Sequence, residues 1–202
     1  SSLSMLIARI VAGWGDAAIA AQKVGTQIES ISYTTAEGFA TAVNAFIAQN
    51  FGARRLDRIR RGYWTAVGMI VAWSCLTTVM LVVFPAPLVR VFIQEEEVVR
   101  TGVSYLRIMG YSQILMCLEI TSSGAFQGLG RPMPPTLAGV IGNAARIPMA
   151  ILLSATVLGL DGVWWSISIS SIAKGLVVFA WFVVVLRRCT RDGDLGTPQF
   201  VR

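Results

Sequence analysis

The sequence predicts an all-α, polytopic transmembrane helix bundle, and three observations predict it. Hydrophobic residues make up 54% of the 202-residue chain and charged residues only 14%, against about 25% charged in an ordinary soluble domain. Three apolar runs are long enough to cross a bilayer, which takes roughly 20 mostly apolar residues in a helix. Tyr63 to Phe84 carries no charge, Val163 to Leu186 carries only Lys174, and Pro135 to Leu160 carries only Arg146. The other basic residues gather between these runs. A soluble helical core with three such runs has too little polar surface to cover it.

One stub and five spans follow along the chain. Residues 3–13 form a short apolar stub that holds Arg9 and is closed by Gly13 and Gly15. It reads as the end of a longer helix, so the first helix is expected to be truncated. The next helix covers about 16–51, with Asp16 as N-cap and Gly52 as its stop. A span over 62–84 is closed by Pro85 and Pro87, and a short interfacial piece, Leu88 to Ile93, leads to the acidic run Glu95–Glu97. The fourth helix covers about 98–129, before a break at Gly130, Pro132, Pro134 and Pro135. The fifth covers 133–159, with Pro148 placed to kink it. The sixth covers 162–188, so residues 1–188 form one transmembrane lobe and 189–202 a polar tail.

Loop charges set the orientation. Arg54, Arg55, Arg58, Arg60 and Arg61, then Arg131, then Arg187, Arg188 and Arg191, fall on one side of this topology. Asp16, Glu95–Glu97 and Asp161 fall on the other. The positive-inside rule makes the arginine side and the C-terminus cytoplasmic. Trp14, Trp164 and Trp165 are then expected in an outer aromatic belt, and Tyr63 and Trp64 in an inner one. The formal net charge of +6 is explained by this topology, and nucleic acid is not an expected partner. Membrane lipid is. Three cysteines without a CxxC pair, and no histidine, speak against a disulfide framework, a zinc site and general-base catalysis by imidazole. No enzyme and no cofactor is expected.

The informative residues are polar ones at membrane depth, where a charge costs at least ~2.5 kcal/mol on insertion scales. At about 100° per residue, Gln22, Thr26, Glu29, Tyr33, Glu37 and Asn44 share one arc of the first long helix. Tyr105, Met109, Ser112, Met116, Glu119, Ser123 and Gln127 share an arc of the fourth helix, and Thr136, Gly139, Asn143, Arg146 and Ser154 one of the fifth. On the sixth, Ser170, Ser171 and Lys174 cluster. Lipid does not solvate such stripes, so they face protein or a watery cavity. Glu119, Glu37 and Glu29, with Asn143, Arg146, Met116 and Gln127, are the candidate residues for substrate binding or cation coupling. A carboxylate in a cavity can exchange a proton or Na⁺ for a cationic substrate, and a Na⁺ site is expected near Glu119 or Glu37. Glu29, nearer the outer end, has solvation as its plain alternative. Arg146, beside Pro148, is expected to satisfy backbone carbonyls that the proline frees.

Ala42 to Ala53 resembles the end of the second helix in each lobe of the multidrug and toxic compound extrusion (MATE) transporters. Gly124-Ala125-Phe126-Gln127-Gly128-Leu129-Gly130-Arg131-Pro132 is similar to the family's fourth-helix exit, and Arg146-Ile147-Pro148 with Gly159 to Trp164 to its fifth helix and following loop. The resemblance implies two six-helix lobes, of which this chain looks like the C-terminal one, with an N-terminal lobe of the same protein as its missing partner. It implies a secondary antiporter in a plasma membrane, a bacterial inner membrane, that exports cationic or amphipathic small molecules against Na⁺ or H⁺ by alternating access. An exporter of lipid-linked oligosaccharides from the same superfamily is the alternative, and a non-transporting scaffold a further one. There is one departure within the chain. Some members place an aspartate eight residues before the glycine matching Gly124, where this sequence has Met116; Glu119 follows about a turn later on the same face.

Overall fold

The computed structural model describes residues 11–155 and 159–192. Most of the expected stub, the end of the expected fifth span and the tail beyond 192 lie outside the described residues. Six helices run in chain order among the described residues: α1 (Asp16–Gly52), α2 (Leu56–Val83), α3 (Pro85–Arg90), α4 (Glu96–Gly128), α5 (Met133–Ser154) and α6 (Gly159–Asp192). The described residues contain no strand. By length and apolarity α2, α5 and α6, the last over Gly159–Cys189, are each able to cross a membrane. With 37 and 33 residues, α1 and α4 measure roughly 55 and 50 Å at ~1.5 Å per residue. Both outreach a hydrocarbon core of about 30 Å.

Several boundaries differ from the sequence expectation, each for a local reason. α2 starts at Leu56, six residues early, and carries Arg58, Arg60 and Arg61 in its first turns. Its buried stripe of Ile59, Tyr63, Ala66, Val67 and Ile70 keeps helical spacing below the uncharged run, so packing extends the helix past its apolar part. α3 begins at Pro85, not Leu88, because the prolines sit in a first turn, where a missing N–H is harmless. Gly15, at φ +100°, takes the position before α1 that was expected of Asp16, and no side chain caps that end. Asp16 contributes its charge to the first turn instead.

α1 and α4 end in the same turn. At the end of α4, Gly130 N–H bonds Gln127 O at 2.9 Å and Arg131 N–H bonds Phe126 O at 2.9 Å, with Gly130 at φ +70°. At the end of α1, Arg54 N–H bonds Phe51 O at 3.0 Å and Arg55 N–H bonds Asn50 O at 2.9 Å, with Arg54 at φ +53°. These are Schellman-type ends. Gly52 is the last helical residue of α1 and not the stop; the left-handed position falls on an arginine.

α4 is the hub. It packs against α1, α2, α3 and α6, while α5 leans mainly on α6. Small residues allow the closest approach, as packing between membrane helices requires. A Cβ on Gly124 would strike the backbone of Ala40 on α1, and one on Gly128 would lie 2.7 Å from Asn44 O. Two core clusters flank this contact. One holds Tyr63, Phe126 and Phe182, with Tyr63 and Phe182 ring centroids 4.4 Å apart and the Tyr63 hydroxyl 2.8 Å from Ser122 Oγ. The other holds Tyr105 and Trp164, edge to face at 5.2 Å. Trp164 and Tyr63 are each 0% exposed, so neither belongs to an aromatic belt. They face neighbouring helices, while Trp14 and Trp64 are exposed.

Candidate functional site

The polar stripes of α1 and α4 meet along one side of their contact, and α5 and α6 close part of it. Two adjoining cavities result. The first, about 410 Å³, is lined by Glu29, Met116, Glu119, Asn143, Arg146 and Lys174, with Gln22, Thr26, Tyr33, Tyr105, Met109 and Ser112 among the rest. The second, about 490 Å³, is lined by Glu37, Thr41, Asn44, Glu119, Ser123 and Gln127. Tyr33, Glu119 and Ile120 belong to both. All seven candidate residues from the sequence thus border one of two neighbouring spaces. Glu119 is the candidate they share.

The contacts within the first cavity are specific. Glu29 is not simply solvated: Tyr105 Oη donates to Glu29 Oε2 at 3.0 Å, joining α4 to α1. Tyr105 is 3% exposed, and its ring fills the space above Gly25, where a Cβ would overlap it. Arg146 does not serve backbone carbonyls freed by Pro148. Its Nε donates to Ser170 Oγ at 2.9 Å and its Nη2 to Ser171 Oγ at 3.2 Å. The reason is reach: the guanidinium fork extends sideways from α5 to the serine pair on α6, which presents two acceptors one residue apart. Lys174 Nζ donates to Glu119 Oε1 at 3.2 Å, a bridge between α6 and α4 whose side chains are 14% and 16% exposed.

The second cavity is acidic. Glu37 is exposed on it, and Tyr33 stands beside both Glu37 and Glu119. Around the two spaces, Thr26, Thr41 and Ser112 hydroxyls donate to carbonyls of their own helices, at 2.9 Å in each case. That leaves their oxygen lone pairs as acceptors for a cationic guest. No group of three or more His, Cys, Asp or Glu side chains converges among the described residues. The arrangement supplies single carboxylates flanked by hydroxyl and amide oxygens, and soft walls from Met109 and Met116.

The sequence placed Lys174 on a minor cluster and gave it no partner. Its signal was present, since Ser170, Ser171 and Lys174 lie on one face of α6 about a turn apart. What it faces depends on how α6 meets α4 and α5, which spacing along one helix does not encode.

Comparison with known proteins agrees with the fold. The MatE family model matches residues 1–152. The probable multidrug resistance protein NorM of Thermotoga maritima is 25% identical over 166 residues, which is 79% of this chain and 35% of that protein. Multidrug and toxin extrusion protein 1 of Homo sapiens is 23% identical over 170 residues, 83% of this chain and 30% of that protein. The crystal structure of MATE in the bent conformation aligns with a TM-score of 0.86 at 18% identity, over 95% of this chain and 43% of that one. An inward-facing MATE family transporter of the MOP superfamily aligns with a TM-score of 0.79 at 20% identity, over 94% of this chain and 45% of that one. The chain therefore spans less than half the length of each protein it matches here, and the structural likeness is one of fold.

Proposed function

The chain belongs to the MatE family, and from that premise we propose that it forms the C-terminal lobe of a secondary antiporter that exports cationic or amphipathic compounds. The single observation that carries this reading is Glu119, a carboxylate shared by two adjoining cavities on the polar face of the lobe. A carboxylate so placed can hold an organic cation from one space and exchange it for Na⁺ or H⁺ from the other. Glu37 extends the acidic surface, and the hydroxyls of Thr26, Thr41 and Ser112 supply further acceptors. The relatives' greater length supports a second lobe as the other wall of the cavity, with rocking of the two lobes giving alternating access. The chain is then a transporter component of a bacterial inner membrane, with its arginine-rich side and C-terminus in the cytoplasm.

The test is dye efflux. Cells producing the two-lobed protein are expected to accumulate less ethidium than cells without it. Glu119→Gln or Glu37→Gln, at equal expression, is expected to raise accumulation towards the control. Efflux unchanged in both variants would contradict the site assignment. Repeating the assay in liposomes under a Na⁺ or a proton gradient identifies the coupling ion.

A further inference from the structure

The first cavity carries four formal charges that sum to zero: Glu29 and Glu119 against Arg146 and Lys174. The two cations are held differently. Arg146 is bound by the hydroxyls of Ser170 and Ser171, and no carboxylate lies within ion-pair distance of it among the described residues. Lys174 lies on the one carboxylate that both cavities share, through a single hydrogen bond of 3.2 Å.

We propose that Lys174 is a tethered cation that occupies Glu119 while the site is empty, so that an incoming cation binds by exchange with it. This rests on the antiporter reading above and adds how the site is regulated. A second, independent feature of the fold supports it. The stem of Lys174 runs over Gly142 on α5, and a Cβ there would overlap its Cγ and Cδ. A side chain at 142 therefore forces the stem to shift from the course that brings the ammonium to Glu119.

Charge makes exchange necessary. A guest cation beside Glu119 with Lys174 still in place would set two cations on one carboxylate, in a space that already holds Arg146. Like charges at such distances repel one another. Withdrawal of Lys174 removes the conflict. Lysine suits this task better than arginine, being a point charge on a flexible stem rather than a bidentate fork. Asn143 and Ser171 line the same cavity and offer oxygen acceptors to the displaced ammonium. The consequence is a cavity that admits only cations able to compete with an ammonium already present.

The experiment measures binding of tetraphenylphosphonium to the purified two-lobed protein at fixed pH and without Na⁺. Lys174→Met removes the charge and keeps the stem's bulk. Gly142→Ala keeps every charge and pushes the stem aside. Both are expected to bind the probe about tenfold or more tightly than the parent. Adding Glu119→Gln to either is expected to abolish that gain. A purely structural bridge gives the reverse, with weaker binding once it is cut. If Glu119→Gln weakens binding but neither Lys174→Met nor Gly142→Ala tightens it, the tethered-cation proposal is overturned and the antiporter reading stands. If the parent and every variant fail to bind the probe, the cation-site reading falls and takes this proposal with it.

Discussion

Tyr105 on α4 donates its hydroxyl to Glu29 on α1 at 3.0 Å, and its buried ring packs edge to face on Trp164 of α6. One residue thereby joins three helices and fixes a carboxylate at the wall of the first cavity. Phenylalanine at this position preserves the packing and leaves Glu29 one donor short. Leaving a buried acceptor without its donor costs about 1–3 kcal/mol. Tyr105→Phe is therefore expected to lower the unfolding temperature of the protein in detergent. Glu29→Gln, whose amide oxygen still accepts from Tyr105, is expected to lower it less. Equal stability of Tyr105→Phe and the parent would show that the bond contributes nothing.

Gly124 separates two kinds of tight contact. Its missing Cβ leaves room for the backbone of Ala40, which no substitution at position 40 can shrink. A Cβ at Gly110 would instead meet Val82 Cγ2 at 2.7 Å, a side-chain atom. Both Gly124→Ala and Gly110→Ala overpack the bundle, which costs about 1–3 kcal/mol or more. Val82→Ala is expected to rescue Gly110→Ala. Ala40→Gly is expected to leave Gly124→Ala unrescued. The yield of monodisperse protein after size-exclusion chromatography reports both outcomes.

The matching ends of α1 and α4 give a prediction of opposite sign. A non-glycine residue in the left-handed region costs about 1–2 kcal/mol, and Arg54 occupies it where Gly130 does in the partner turn. Arg54→Gly is expected to stabilise the protein by about 1 kcal/mol, while Gly130→Ala destabilises it by a similar amount. Thermal unfolding of the two variants, run side by side, checks the sign of each.

What the sequence made legible follows from where the information sits. The azimuth of a side chain on its own helix is set by about 100° per residue. The stripes through Glu29 and Glu37, through Met116 and Glu119, and through Asn143 and Arg146 could therefore be read before any fold was known, and the cavities lie along them. How one helix meets another is set by contacts such as Gly124 on Ala40 and Gly142 under Lys174. For that reason the partners of Lys174, Arg146 and Glu29 were not legible. Their sequence positions near helix ends suit Tyr63 and Trp164 to the membrane interface. Their place on the inward faces of α2 and α6 decided otherwise. The early start of α2 was hidden because its first turns are charged, while the stripe that buries Ile59 continues through them.

The central claim is that polar faces on apolar helices line a passage open to water, and cysteine accessibility tests it most directly. Cysteines are placed singly at Glu37, Met116 and Asn143, in a two-lobed protein whose Cys75, Cys117 and Cys189 are replaced by serine. Leu152 on the exposed apolar side of α5 serves as the lipid-facing control. A membrane-impermeant, water-soluble thiol reagent is expected to label the three stripe positions from at least one side of the membrane and to leave the control unlabelled. Stripe positions sealed from the reagent in every transport state, applied from either side, would contradict the claim.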